Sequence, residues 1–249
     1  CGIVYCSTRR TVEEVDMLLN DKGIPSTRYH AGLPEEERRQ NQDDFVYDRK
    51  PIMVATNAFG MGIDKSNVSF VIHYNMPKNL ESYYQEAGRA GRDGSPAECI
   101  LLYSPQDVRT NRYLIENSDP NPDLDFETQE KLIQREYDRL RKMTYYCTTA
   151  DCLRAFILKY FGEPAEEYCG NCSSCAGGSV LVEATVEAQQ VLSCVARTGQ
   201  RLGISMICDI LRGSENERVL QMNLQTQSTY GLMREKPILE IKHIIDALL

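Results

Sequence analysis

Four short, mostly apolar runs alternate with helical patterns in the first hundred residues of this 249-residue chain. The runs are rich in β-branched and aromatic side chains and lie at residues 2–6, 51–56, 69–74 and 98–103. Such runs are typical of parallel strands buried on both faces. Their alternation with helices predicts an α/β fold with a doubly wound parallel sheet, whose ligands bind outside the carboxyl ends of the strands.

Helix signals fill the segments between and after these runs. Thr11 and Glu14 fit a capping box, which predicts a helix starting there, and residues 35–45 form a second helix. Ser104 as N-cap and Pro105 at the first position predict a helix to about residue 116. Further helical patterns lie at residues 126–146, 153–161, 188–195, 204–211 and 238–249, with a Gly-rich linker at 177–179.

These patterns predict three domains. Residues 1–105 form the α/β lobe, residues 106–178 a helical module rich in cysteine, and residues 179–249 a mostly helical domain. No apolar run approaches the roughly 20 residues of a membrane span, and no signal segment opens the chain, so we expect an intracellular protein without a membrane partner. Because Cys1 stands inside an apolar run, we also expect the chain to be a fragment.

A net charge of −8 argues against a generally basic nucleic-acid binder. Any phosphate contact must rest on local groups. Arg89 and Arg92 lie three residues apart, each after a glycine, at the end of a predicted helix that contains Gln85. Two guanidinium groups in this arrangement suit a triphosphate, although an arginine pair at a helix end is also compatible with a solvated surface. A glycine-bearing loop at residues 57–64 follows a predicted strand, as a phosphate contact requires.

Several segments together resemble motifs IV, V and VI of superfamily two helicases, in the form found in the RecQ family. They are the sequences at residues 3–9, YHAGL at 29–33, VATNAFGMGID at 54–64 and QEAGRAGR at 85–92. The resemblance extends over almost the whole chain. It implies that the first domain is the second RecA-like lobe of a helicase motor, followed by a zinc-binding platform and a winged-helix domain.

By this resemblance, the arginine motif serves nucleotide hydrolysis. Arg92 is similar in position to an arginine finger that reaches the γ-phosphate of ATP, with Arg89 assisting and Gln85 linking the nucleotide state to motion. Gly62 and Asp64 are implied nucleotide contacts, the latter at the ribose. The chain contains neither GxxxxGK[ST] nor a DEAH-like quartet, so ATP and Mg²⁺ should be held by an N-terminal RecA-like lobe of the same protein. Alone, this chain should not hydrolyse ATP.

The resemblance also implies a set of contacts to the phosphates of single-stranded DNA. Such contacts do not depend on base sequence. For one member, His30, a histidine satisfied at the end of a strand is an equal alternative, and His73 and His243 are interpreted as structural. The implied DNA contacts are Ser7, Arg9, His30, Gly32 and Thr56.

Four cysteines have the spacing of a metal site. Cys169, Cys172 and Cys175 lie at three-residue intervals on one loop, and Cys152 opens a predicted helix that can return to it. Four thiolates make a closed tetrahedral zinc site, while buried free thiols and an iron-sulfur cluster are alternatives. Cys147 is an alternative fourth ligand. The family resemblance implies structural zinc and favours Cys152.

The terminal domain resembles the opening of a winged helix at residues 201–205 and 210–214. It departs from the family pattern before Thr229, where residues 222–227 replace the usual turn, and we expect the chain to stop before the wing. Three arginines here are compatible with DNA contact or with a solvated surface: Arg197, Arg201 and Arg212.

The predicted function is that of a motor part in a 3′ to 5′ DNA helicase, acting on a single strand and a duplex junction in DNA repair or recombination. We expect a monomer, located at the cytoplasmic nucleoid of a bacterium or in a eukaryotic nucleus. One alternative is a non-catalytic DNA- or protein-binding platform. An RNA helicase is another, but it predicts no four-cysteine module after the motor lobe.

Overall fold

A computed structural model describes residues 1–60, 65–118, 121–122, 124–177 and 183–248 of the chain. The chain divides into two compact units, Cys1–Cys175 and Ala176–Leu249. Within the described residues, no helix combines the length and apolar character that a membrane crossing demands.

The first unit is built on a five-stranded parallel sheet with the strand order β2-β3-β1-β4-β5. Strand β1 lies at the centre of the sheet, where its Val4 is in register with Val54 of β3 on one side and Ile72 of β4 on the other. The predicted doubly wound α/β lobe is therefore confirmed. Its strands are β1 (Gly2–Tyr5), β2 (Ser26–Tyr29), β3 (Ile52–Ala55), β4 (Phe70–His73) and β5 (Glu98–Leu101).

Strand β2 is the element that the apolar pattern does not reveal. Its sequence, STRY, is polar, but it pairs in parallel with β3 along its full length. Ser26 is buried, and its hydroxyl is bound by the side chains of Asp16 and Asn20. Polar side chains can occupy this edge of the sheet because their hydrogen-bonding groups find partners in the preceding helix.

Three helices flank the sheet: α1 (Arg9–Asp21), α2 (Glu35–Val46) and α3 (Leu80–Ala87). The predicted start of α1 at Thr11 is wrong. Thr8, with an extended backbone at φ −129°, is the N-cap, and its hydroxyl accepts a hydrogen bond from the Thr11 amide at 3.0 Å. Thr11 itself lies in the first turn, since Arg9 and Arg10 already have helical geometry.

Helices α4 (Pro105–Glu116), α5 (Phe126–Thr148), α6 (Leu153–Tyr160) and the short α7 (Ser173–Ala176) form the helical module of the first unit. Ser104 caps α4 and Pro105 occupies its first turn, as predicted. Leu140, Met143 and Tyr146 of α5 pack against Leu80 and Tyr83 of α3 in one buried cluster. Burying each such side chain contributes about 1.5–3 kcal/mol, so this cluster holds the module to the sheet lobe.

The second unit contains α8 (Thr185–Arg197), α9 (Ile204–Arg212), α10 (Glu217–Gln221) and α11 (Ile238–Ala247). Its core is assembled from all four helices and includes Cys194, Ile207, Val219 and Ile241. The predicted helices are present, and α10 is an addition whose five residues are too few for a periodic signal. The linker predicted at residues 177–179 lies mostly outside the described residues.

Candidate functional site

The arginine motif surrounds the end of α3. Asn79 caps the start of this helix by accepting a hydrogen bond from the Ser82 amide at 2.8 Å, and Gln85 is exposed in its last turn. The helix ends at Gly88, so Arg89 and Arg92 lie in the turns that follow it rather than on it. The Gly91 amide donates to the Val68 carbonyl, just before β4. The turn that follows α3 therefore lies near the amino end of β4, not in a loop following a strand.

Arg89 binds the glycine-bearing loop. Its Nη1 donates to the Gly60 carbonyl at 2.8 Å, and Gly60 has φ +119°. A Cβ at residue 60 would lie 2.3 Å from Arg89 Cζ, so only glycine lets the guanidinium occupy this position. The buried Arg89 Nε has no hydrogen-bond partner among the described residues. Arg92 is exposed, with its Nε 3.4 Å from the Gly88 carbonyl.

Tyr5 lies beneath this contact. Its hydroxyl donates to the Phe59 carbonyl at 3.3 Å, and its ring stacks on His73 at 5.5 Å. Burial raises the pKa of Tyr5 above its ordinary value, although the Arg89 guanidinium opposes that shift. Nε2 of His73 pairs with Glu86 at 2.8 Å. The arginine motif, through Glu86, and the described part of the glycine-bearing loop, through Phe59, thus both contact the stacked pair of Tyr5 and His73.

Gly62 and Asp64 lie outside the described residues, but Lys65, which follows them, is buried and hydrogen-bonded. Its Nζ contacts Asp48 Oδ1 at 2.8 Å and the Val46 carbonyl at 3.1 Å. The hydrogen bond from Lys65 lowers the pKa of Asp48 below its ordinary value. Sequence reasoning missed Lys65 because a lysine beside a loop gives no signal of burial.

Loops that follow three neighbouring strands bring the predicted DNA contacts to one edge of the sheet. Ser7 follows β1, His30 and Gly32 follow β2, and Thr56 follows β3. The Arg9 side chain packs against Gly32 at this edge, because a Cβ added to Gly32 would lie only 3.1 Å from Arg9 Cδ.

Ser7 is part of a hydrogen-bonded chain that the sequence does not reveal. Its amide and its hydroxyl both donate to Asn75 Oδ1 at 3.1 Å. Asn75 Nδ2 donates to Asp107 Oδ1, and the Met76 amide donates to Asp107 Oδ2, each at 3.1 Å. Both Ser7 donors are therefore engaged, and a phosphate must displace one of these bonds to accept from Ser7.

His30 has in-chain partners at both ring nitrogens. Nε2 lies 2.8 Å from Glu13 Oε1, and Nδ1 accepts from the Gly32 amide at 3.1 Å. Because the amide needs an acceptor at Nδ1, the proton of a neutral ring resides on Nε2 and is donated to Glu13. This is the geometry of a histidine satisfied at a strand end, and a phosphate contact through the ring stays a prediction.

Four thiols converge in the helical module. Cys152 is buried and caps α6, while the other three lie on the loop leading through α7. Their Sγ atoms all lie within 4.8 Å of one another, and those of Cys169 and Cys175 are 4.0 Å apart. Tetrahedral zinc with four thiolates places sulfur atoms about 3.8 Å apart, so this donor set fits the metal. The group contains Cys152, Cys169, Cys172 and Cys175.

Backbone amides favour the thiolate at two of the three loop cysteines, whereas at Cys175 the backbone hydrogen bonds are outweighed by burial and by the thiols of Cys172 and Cys152, which raise its pKa to about 11. Burial alone raises the pKa of Cys172, but backbone amides of Cys175 and Leu153 and the neighbouring thiols bring it down to about 6. Backbone amides of Asn171 and Cys172 likewise lower the pKa of Cys169. Cys147 stands outside this group, and burial raises its pKa to about 12. A metal that requires thiolates is therefore better served by Cys152 than by Cys147.

Three family models match the chain in succession: the helicase conserved C-terminal domain at residues 1–94, the RecQ zinc-binding domain at 105–176 and the RQC domain at 179–249. The sheet lobe and the four-thiol module thus define the C-terminal region of a helicase.

The names of similar proteins indicate which family of helicases this C-terminal region resembles. The ATP-dependent DNA helicase RecQ of Bacillus subtilis is 44% identical over all of this chain and 40% of its own length. RecQ of Haemophilus influenzae is 38% identical over 94% of this chain and 36% of its own length. The ATP-dependent helicase wrn-1 of Caenorhabditis elegans is 34% identical over 94% of this chain and 23% of its own length. The chain belongs to the RecQ helicase family and spans less than half the length of these relatives.

Proposed function

We propose that this chain is part of an ATP-dependent DNA helicase that moves along single-stranded DNA and unwinds duplexes in the 3′ to 5′ direction during repair or recombination. The observation that carries the proposal is the contact of Arg89 with the Gly60 carbonyl. It joins the arginine motif to the glycine-bearing loop, so that both can respond to one nucleotide. The curated relatives that bear the name ATP-dependent DNA helicase support the choice of reaction and substrate.

In this proposal the chain supplies half of a divided nucleotide site. Arg92 is exposed and reaches the γ-phosphate of ATP that is held, with Mg²⁺, on an N-terminal RecA-like lobe of the same protein. Arg89 is fixed by Gly60, and Gln85 passes the nucleotide state to α3. Gly62 and Asp64 contribute nucleotide contacts. An arginine that neutralises charge on the transferred phosphoryl group accelerates hydrolysis by about 10³ to 10⁵.

The strand-end loops bind the DNA backbone. Arg9 and Gly32 lie near the carboxyl ends of β1 and β2, and Thr56 follows β3, the strand between them. A phosphate that binds the Gly32 amide must replace His30 Nδ1 as its acceptor. These groups recognise phosphates without reading bases, as a translocating motor requires. Zinc on the four thiols is structural, because four protein ligands leave no open coordination position for substrate.

The test uses the full-length protein and Arg92→Ala. DNA-stimulated ATP hydrolysis should fall about a thousandfold, because the transition state loses its guanidinium, while zinc content and oligonucleotide binding stay at the level of the unmodified protein. Arg109→Ala, which removes an exposed arginine of α4, is the matched control.

Two outcomes contradict the proposal. If Arg92→Ala hydrolyses ATP as fast as Arg109→Ala, Arg92 is not an arginine finger. If the unmodified full-length protein binds DNA but hydrolyses no ATP, the chain belongs to a non-catalytic platform.

Duplexes with a 3′ or a 5′ single-stranded tail separately test the direction of unwinding, and only the 3′-tailed substrate should be unwound. Residues 1–249 alone should not turn over ATP.

A further inference from the structure

Helices α5 and α6 form a groove that no step of the proposed mechanism uses. Three of its side chains are cations and three are aromatic rings, and each helix contributes both kinds. We call this surface the basic aromatic groove. It is lined by Arg141, Lys142 and Tyr145 of α5 and by Phe156, Lys159 and Tyr160 of α6.

The rings of the groove are held in place. Tyr145 has 52% of its surface exposed, packs against Phe156 with ring centroids 5.6 Å apart, and donates its hydroxyl to Asp151 Oδ2 at 3.2 Å. The Lys142 ammonium lies 5.1 Å from the centroid of the Tyr160 ring. Tyr145 therefore presents an open ring whose orientation is already fixed, which lowers the entropy cost of stacking a ligand on it.

The charge of the groove reverses that of its surroundings. Residues 106–178 carry 9 basic and 13 acidic side chains, and three of those cations meet here. Arg141 pairs with Asp138 at 2.9 Å, and both side chains are more than half exposed. Such a pair contributes little, so an incoming phosphate can replace Asp138 as the partner of Arg141.

We propose that the basic aromatic groove binds single-stranded DNA, with Arg141, Lys142 and Lys159 on phosphodiesters and Tyr145 stacked on a base. Cations interleaved with open rings are the arrangement that binds single strands, because a duplex hides the faces of its bases. An acidic peptide would use the cations but would leave the ring without a planar partner. The inference rests on the proposed DNA helicase function and adds a strand contact apart from the loops at the sheet edge.

The first test targets stacking. In the zinc-loaded chain, Tyr145→Ala should weaken the binding of fluorescein-labelled oligothymidylate, measured by anisotropy, by about tenfold. Tyr145→Phe keeps the ring and should bind within about twofold of the unmodified chain. Tyr113→Ala is the matched control, since Tyr113 is 62% exposed on α4 and outside the groove. The effect of Tyr145→Ala should disappear on an abasic oligonucleotide, which has phosphates but no bases.

The second test targets charge. Lys159→Ala should lower the slope of log affinity against log salt concentration by about one, because one phosphate contact is lost. Lys131→Ala should leave the slope unchanged. Lys131 is an exposed lysine near the start of α5 and does not line the groove.

The outcomes separate the groove from the proposed function. If Arg9→Ala weakens oligothymidylate binding but Tyr145→Ala and Lys159→Ala do not, the groove proposal is wrong and the helicase function stands. If the unmodified chain has no affinity for oligothymidylate, both proposals fail in their DNA part. If polyglutamate binds and the same groove variants lose that binding while DNA binding persists, the occupant is an acidic protein and the proposal is overturned.

Discussion

The two candidate sites of the first unit differ in how many of their groups this chain supplies. The four-thiol group is complete, since four Sγ atoms from one chain meet within 4.8 Å. In the arginine motif, the Arg89 guanidinium binds the Gly60 carbonyl and the Arg92 guanidinium is exposed. The sequence contains no GxxxxGK[ST] loop that would bind a triphosphate. A complete site serves stability, whereas the arginine motif fits our proposal that a second lobe brings the nucleotide to it.

The strongest test of the complete site is Cys172→Ser. We expect zinc, measured by elemental analysis, to be lost and the helical module to melt well below the sheet lobe, because structural zinc contributes on the order of 10 kcal/mol. Cys147→Ser is the matched control and should keep one zinc per chain, since Cys147 lies outside the thiol group. Full zinc content in Cys172→Ser, or its loss in Cys147→Ser, would contradict the assignment of ligands.

The divided site is tested by Gly60→Ala in the full-length protein. The new methyl group would overlap the Arg89 guanidinium, so DNA-stimulated ATP hydrolysis should fall about a hundredfold, as small misplacements of catalytic groups do. Zinc content should not change. Gly94→Ala controls for backbone strain, because Gly94 also has a positive φ, +83°, but has open space around its Cβ position. Equal activities of the two variants would show that the Arg89 contact does not serve hydrolysis.

The smallest effect, on the free energy of unfolding, is expected for Asp48→Asn. Asp48 binds Lys65, the residue that follows the glycine-bearing loop. The folded-state pKa of Asp48 is lowered by Lys65, so its contribution to the free energy of unfolding is present above the unfolded-state pKa of about 3.9. That contribution is lost as the pH falls through the lower folded-state pKa. Denaturant titrations should therefore show a less stable variant at neutral pH and a difference that vanishes in acid.

Glu14→Gln is the comparison for Asp48→Asn, because Glu14 pairs with Arg10 on the open surface of α1. It should destabilise the chain less than Asp48→Asn does. A stability difference for Asp48→Asn that grows in acid would contradict the role of Lys65 as its partner.

Strong periodic signals in the sequence were sufficient to predict most of the fold. The four apolar strands and the long helices follow from side-chain patterns that only one secondary structure can bury. The N-cap of α1 was misplaced because Thr8 and Thr11 are both good caps, and only the backbone geometry of Arg9 and Arg10 separates them.

The candidate sites were predictable in their residue types but not in their partners. Regular spacing indicated the cysteine cluster and the arginine motif. Contacts across long stretches of chain left no local pattern, as with Lys65 and Asp48 or Ser7 and Asn75. His30 shows the same limit, because the carboxylate that accepts from its ring lies 17 residues away on α1.

The polar side chains that make β2 hard to predict from the sequence also make it a poor partner for strands of other chains. An edge strand offers unpaired backbone groups to any neighbouring chain, and short, charged strands resist such pairing. β2 is four residues long, and its Arg28 is held by Glu13 and Glu37 at 2.8 and 3.1 Å. These ion pairs secure the strand to the helices on either side. At the β2 edge, the sheet therefore resists pairing with another chain, although the strands inside the sheet are strongly apolar.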